Sequence, residues 1–419
     1  MSGMLHRITP AELNGNRPAS FGPTETRVAA DIVESVRHGG ESALRAHAEE
    51  FGDIAVGKPL TVNREDLRAA FEELDSDTRD LLTRVHRRVM IFARAQRQGL
   101  SDLTVSIEGG QAGHRWIPVN SVGAYAPGGR YPLPSTVLMT VTPARVAGVT
   151  SVWVASPRPT QLTLAASWVA GADGVLVVGG AQAIAALAFG TVTPTCDMIV
   201  GPGNKYVTAA KKYLYGEVGI DGLAGPSEIL VIADENADPV LVAADLLAQA
   251  EHDVDAIPAL ITTSEEMASK VDQQLESQLA DLPSADVVRA ALANGACVIV
   301  ENLTRAAGVS DTLAPEHLAI HASDPRAVAM QVRNYGSIFV GGGAAEAFAD
   351  YGAGPNHVLP TGGGARFAGG LSILTYLKAS TWLAIDSPDP LIEDTARLAR
   401  LEGLEAHARA ALARSRGST

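Results

Sequence analysis

Ser151-Val-Trp-Val-Ala155 is followed by an apolar stretch of helical period from Leu162 to Ala170, then by Gly174-Val-Leu-Val-Val178 and another such stretch from Ala181 to Phe189. Short strands that alternate with helices at this spacing predict a parallel α/β sheet, because each parallel pairing needs a crossover long enough to hold a helix. The alternation continues through Met198-Ile-Val200, a helix from about Tyr206 to Leu214, Ile229-Leu-Val-Ile232, and a helix opened by Asp238-Pro239. It resumes at Ala259-Leu-Ile-Thr262, passes a helix from Glu265 to Leu282, and reaches Cys297-Val-Ile-Val300 and Ser337-Ile-Phe-Val340. The expected fold is therefore α/β, with two Rossmann-like parallel-sheet domains and small N- and C-terminal helical segments. We assign residues 1–20 to an N-terminal arm, and 21–124 with 229–370 to a discontinuous main domain whose first part is helical. Residues 125–228 form an inserted Rossmann-like domain and 371–419 a C-terminal helical segment. In the first part, Val28, Ile32, Val33 and Val36 make one amphipathic stripe, and Leu81, Leu82, Val85, Val89 and Ile91 another. In the last, Leu398, Leu401, Leu404 and Ala408 share a stripe that could reach a neighbouring subunit.

At 419 residues the chain exceeds a single core and calls for two or three domains. With 46% hydrophobic and 19% charged residues it is a globular protein, and its net charge of −14 argues against nucleic acid or an anionic membrane as partner. A small-molecule partner is expected. Cys196 and Cys297 each sit in an apolar run, which reads as reduced, buried thiols in a reducing compartment. Met1 to Pro10 lacks the apolar core of a signal peptide, and no segment has the apolar length of a membrane span. The expected location is cytoplasmic.

The helix opened by Asp238-Pro239 turns polar at its far end, Gln249-Ala-Glu251-His252-Asp253. On a helix, Gln249 and His252 would share one face, and a carboxamide oxygen with an imidazole nitrogen could meet on a metal. A helix end whose histidine caps the last carbonyls is the other reading. Pro315-Glu316-His317-Leu318 sets a carboxylate beside an imidazole, usable as a general base and its partner if a strand end aims them. The segment from Asp350 to Gly364 places Asp350, Asn356 and His357 among glycines and prolines, a rigid loop rich in ligand-type residues. In Glu402-Gly403-Leu-Glu405-Ala-His407, Glu402 and His407 would face apart unless Gly403 bends the helix. Gln249, His252, Asp350 and His407 would complete a shell of nitrogen and oxygen donors suited to zinc, manganese or cobalt. Three glycine-rich turns, at Tyr125 to Gly129, Gly179 to Gln182 and Gly201 to Lys205, follow strands, but none carries the G-x-G-x-x-G dinucleotide fingerprint. They serve either an approaching phosphate or ordinary tight turns.

Over nearly its whole length the chain resembles the histidinol dehydrogenase family. The resemblance rests on Gly201-Pro-Gly-Asn-Lys-Tyr206-Val-Thr-Ala-Ala-Lys211, Ala224-Gly-Pro-Ser227-Glu-Ile-Leu-Val231, Gln249-Ala-Glu-His252, Pro315-Glu-His-Leu318, Asn356-His-Val-Leu-Pro-Thr361 and Glu402-Gly-Leu-Glu-Ala-His407. It implies an NAD-dependent enzyme that oxidises L-histidinol to L-histidine through a bound aldehyde, the last step of histidine biosynthesis, in a homodimer with shared active sites. By position it implies one Zn2+ per subunit on Gln249, His252, Asp350 and His407, the last from the partner chain. His317 would be the general base, assisted by Glu316, which activates water. Substrate contacts would fall on Ser227, Gln249, His252, His317, Asp350, His357, Glu402 and His407, and NAD contacts on Tyr125, Gln182 and Asn204 in the inserted domain. The departures are Ala93 where the biosynthetic enzymes commonly carry histidine, Ala349 where glycine is usual, and Gly113-His-Arg-Trp-Ile-Pro-Val119, which looks more like the related sulfopropanediol dehydrogenases. A paralogue oxidising a small polyol such as 2,3-dihydroxypropane-1-sulfonate is thus a second reading. A noncatalytic metal- or nucleotide-binding protein is a third, to which the Glu316-His317 pair would be superfluous.

Overall fold

The structure of the chain, a computed structural model, describes residues 3–15, 20–128 and 132–416, so Gly129 of the first glycine turn and part of the N-terminal arm lie outside it. One six-stranded sheet runs His6–Arg7, Ala296–Ile299, Ile257–Thr262, Glu228–Ala233, His317–His321, Ser337–Val340, every neighbour parallel. From Glu228–Ala233 the chain steps outward on one side and then crosses to the other at His317–His321, so these two strands are neighbours although far apart in sequence. A second sheet runs Thr61–Asn63, Gly174–Leu176, Ser151–Ala155, Ser121–Tyr125, Met198–Val200, Gly219–Ile220, parallel except at Thr61–Asn63. Strands Glu228–Ala233, His317–His321 and Ser121–Tyr125 are buried at every residue, as apolar runs covered on both faces must be.

Helix Pro23–Glu50 contributes Val33 and Val36 to a core shared with Ile184 and Leu187, and helix Ser76–Gln98 contributes Leu82 and Ala93 to one shared with Val122 and Val137. Both N-terminal helices therefore cover the second sheet. Leu81 and Ile91, which the periodicity places on the buried stripe, are 50% and 56% exposed. The sequence reading also misses an antiparallel sheet, Leu377–Ile385, Gly110–Pro118, Leu103–Ile107. Among the described residues no helix is long and apolar enough to cross a membrane.

Asp238 caps the helix Pro239–Ala250 by accepting from the Val240 N–H at 2.9 Å. This helix ends earlier than its sequence suggests. Glu251 is its cap, and His252 lies in the turn beyond, its N–H on the Gln249 carbonyl at 3.2 Å. At the other end of the chain, Asp389–Leu401 and Glu405–Leu412 are separate helices, broken where Gly403 takes the left-handed φ of 79°.

Candidate active site and metal centre

A cleft lies between the two parallel sheets. One wall is formed at the amino ends of the first sheet's strands, with Ser227, Glu228, Glu316 and His317, and the other by the turns after the second sheet's strands, with Pro127 and Gly201 to Asn204. Its volume of about 1890 Å³ exceeds the roughly 300–1,000 Å³ of an ordinary small-molecule pocket, so a cofactor and a substrate could share it.

Gln249 is fully buried at the helix end. His252 Nε2 lies 3.4 Å from Asp350 Oδ2 and 4.0 Å from Glu346 Oε1. One ligand atom from each of His252, Glu346 and Asp350 falls within 4.8 Å of the others, close enough to share a cation. Burial pushes the Asp350 carboxyl up, but the hydrogen bond to His252 and the nearby His357 and His317 rings outweigh it and leave the group below its usual range. The chain thus gathers His252, Glu346 and Asp350, with the Gln249 carboxamide against Glu346, and the imidazole and carboxylate groups fit a zinc ion's donor preferences. His407 and Glu402 are exposed on the C-terminal helices and do not line this cleft of their own chain.

His317 opens its strand beside this cluster. Its Nδ1 lies 3.0 Å from the Glu228 carbonyl, which can only accept, so Nδ1 carries the proton. Nε2 is then a bare lone pair, and this buried nitrogen has no partner among the described residues. Burial holds the ring neutral, lowering its pKa to about 4 against the opposing pull of Asp350. The neighbouring Glu316 accepts from the Glu228 N–H at 2.9 Å, and burial raises its carboxyl well above the usual range. One end of the Gln249 carboxamide lies 2.8 and 3.1 Å from the two Glu346 oxygens and 3.1 Å from His317 Nδ1; we assign it as the nitrogen, since the carboxylate oxygens only accept.

His357 donates from Nδ1 to the Asp350 carbonyl at 3.1 Å, so its Nε2 accepts from the Thr136 hydroxyl, also at 3.1 Å. The loop that carries it is tied to the Ser227 turn by Gly362 N–H on Glu228 Oε1 at 2.7 Å. Glu228, Glu316 and Asp350 line this end of the cleft with Glu346 buried close to Asp350, a set of carboxyl groups that suits a cation. Glu346, Glu228 and Thr136 are absent from the sequence reading. Glu346 had a legible signal, since Glu346 and Asp350 stand four apart with only Ala347, Phe348 and Ala349 between them.

Across the cleft, Asn204 caps the helix Lys205–Leu214, its Oδ1 accepting from the Tyr206 and Val207 N–H groups. The preceding turn is pinned: Gly201 donates to Asp221 at 2.6 Å, its carbonyl accepts from Lys211, and Lys211 pairs with Asp221. A side chain at Gly201, whose φ is 107°, would collide with the Tyr125 carbonyl. Tyr125 and Gln182 are buried rather than in the cleft wall. The Tyr125 hydroxyl accepts from Gly180 N–H at 3.2 Å, and Gln182 donates to Asp53 at 3.3 Å.

A sequence model of the family described as histidinol dehydrogenase matches residues 17–415. The histidinol dehydrogenase of Thermus thermophilus is 46% identical over 397 residues, covering 94% of this chain and 95% of that protein. That of Prochlorococcus marinus is 47% identical over 390 residues, covering 90% and 87%. The crystal structure of histidinol dehydrogenase from Elizabethkingia anophelis superposes with a TM-score of 0.92 at 29% identity, over 99% of this chain and 98% of that one.

Proposed function

This chain belongs to the histidinol dehydrogenase family, whose members are oxidoreductases, and from that premise we propose that it oxidises L-histidinol to L-histidine in two hydride transfers through bound L-histidinaldehyde, in the cytoplasm. The observation that carries the chemistry is the buried, unpartnered Nε2 of His317. It is a free base at neutral pH, and the Glu228 carbonyl fixes its tautomer. His317 Nε2 takes the alcohol proton as the carbinol hydride leaves, giving the aldehyde. Glu316, whose burial makes its carboxylate a stronger base, accepts a proton from water as the oxygen adds to the aldehyde carbon. Protonated His317 returns its proton to the carbonyl oxygen in the same addition, so the hydrate forms and Nε2 is bare again; it then takes a hydroxyl proton from the hydrate as the second hydride leaves, and the carboxylic acid forms.

Gln249, His252 and Asp350, with His407 of the partner subunit in a homodimer, would hold a zinc ion. Bound zinc would supply a redox-inert Lewis acid that orients the substrate's amine and imidazole, and two NAD+ molecules would supply the hydride acceptors. Ser227 and His357 line the cleft near these groups, while Glu402 of the partner subunit would complete the substrate contacts. Asn204, Tyr125 and Gln182 would form the cofactor side. The acidity of the site favours the cationic amine of histidinol and disfavours an anionic sulfonate, so the polyol paralogue is the weaker reading. We expect His317→Asn to lower turnover of L-histidinol by at least about 10²-fold while keeping its zinc, and His252→Asn to lose the zinc. An active His317→Asn would remove the base assignment.

A further inference from the structure

Gln249 presents a carboxamide to the metal site, and a carboxamide has two ends of nearly equal shape. Only the oxygen has a lone pair to give a cation; the nitrogen is a donor. A half-turn about the terminal side-chain bond exchanges them, and that bond has a broad, roughly two-fold preference. Something must decide which end faces the ion. Helix packing cannot, because it constrains shape alone.

Glu346 is placed to decide it. It is the first residue of the short helix Glu346–Asp350, 2% exposed, with Ala345 and Ala347 as its chain neighbours. A leucine there would fill the space without the cost of burying a carboxyl group. One end of the Gln249 carboxamide lies 2.8 and 3.1 Å from the two Glu346 oxygens, and we assign that end as the nitrogen because carboxylate oxygens only accept. Among the described residues Glu346 is also faced by His252 Nε2 at 4.0 Å and His317 Nδ1 at 3.9 Å, both beyond hydrogen-bond reach, and by an Asp350 oxygen within 4.8 Å, with Glu316 and Asp245 nearby. The nearby alternative acceptor for Gln249, His317 Nδ1, is occupied as a donor to the Glu228 carbonyl.

We infer that Glu346 is a positioning residue for the metal site: it holds the nitrogen of the Gln249 carboxamide and so leaves the oxygen free to face the ion. The inference rests on the zinc reading above, and it assigns Glu346 no bond to the metal. Partners that orient a ligand in this way are worth about 10–100-fold in metal affinity.

The test is a titration of the purified chain with Co2+ and Zn2+ against a competing chelator, followed by the Co2+ absorption bands. Glu346→Leu is expected to lower metal affinity by about 10–100-fold and to shift the Co2+ bands. Glu346→Gln keeps an acceptor oxygen and should recover most of the affinity. The decisive arm is Gln249→Glu, where both ends of residue 249 are oxygens and orientation no longer matters. In that background Glu346→Leu is expected to cost no affinity. An equal loss in both backgrounds overturns the inference, because Glu346 would then either bind the metal or serve packing alone. If His252→Asn loses the metal and Glu346→Leu does not, the inference fails while the zinc site stands. If His252→Asn binds as tightly as the parent chain, the zinc reading fails and takes the inference with it.

Discussion

The proton on His317 Nδ1 is committed to the Glu228 carbonyl, and the opposite nitrogen is sealed from water without a partner. Burial brings the ring's pKa from an ordinary 6.5 to about 4 in the folded chain. Below pH 6.5 the unfolded ring therefore binds a proton that the folded ring refuses, and stability is lost as pH falls from 6.5 to about 4. Urea denaturation of the metal-free chain across this window should show the loss, and His317→Asn should show less of it. Equal pH slopes for the two would mean that the ring is not held neutral. Gln249, His252, Glu316 and His317 could be picked from the sequence because each breaks an apolar run with a group that can bind or move a proton. Glu228 could not be picked so easily, and Glu346 only by its four-residue spacing from Asp350. A carboxylate beside a strand or opening a helix reads as a solvated end, and only the tertiary fold buries it.

The parallel strands were legible for a physical reason. Strands covered on both faces are apolar at successive positions, so Ile229 to Ile232 and Leu318 to Ile320 announce themselves without alternation. The start of the helix before Gln249 was equally clear, since Asp238 caps it and Pro239 suits its first position. Its end was hidden. Gln249 to His252 all tolerate a helix; the chain leaves it because Asp253 closes a turn, accepting from the Asp255 N–H at 3.0 Å and the Ala256 N–H at 3.1 Å. That exit swings His252 toward Asp350. The antiparallel sheet was hidden for another reason: Gly110–Pro118 pairs with Leu377–Ile385, a partner too distant in sequence to leave a local signal. Leu81 and Ile91 fit a helical stripe by spacing, yet the helix Ser76–Gln98 turns them outward.

The whole molecule sets the amino ends of one parallel sheet against the carboxyl ends of another, so His317, the candidate ligands and the Gly201 to Lys205 turn face one cleft. Its own C-terminal helices contribute nothing to that cleft, and they expose Leu398, Leu401 and Leu404 at 60%, 77% and 44%. If His407 of the partner subunit completes the site, co-expressing His317→Asn and His407→Asn chains should restore activity that neither has alone. A random mixture of symmetric dimers leaves roughly one site in four intact. No recovery would mean that the sites are not shared. The central claim, oxidation of one alcohol through both hydride transfers at one site, is tested most directly by counting NADH formed per L-histidinol consumed at completion, with the product identified by mass. The account predicts two NADH and L-histidine. One NADH with free aldehyde, or no consumption of histidinol at all, would contradict it.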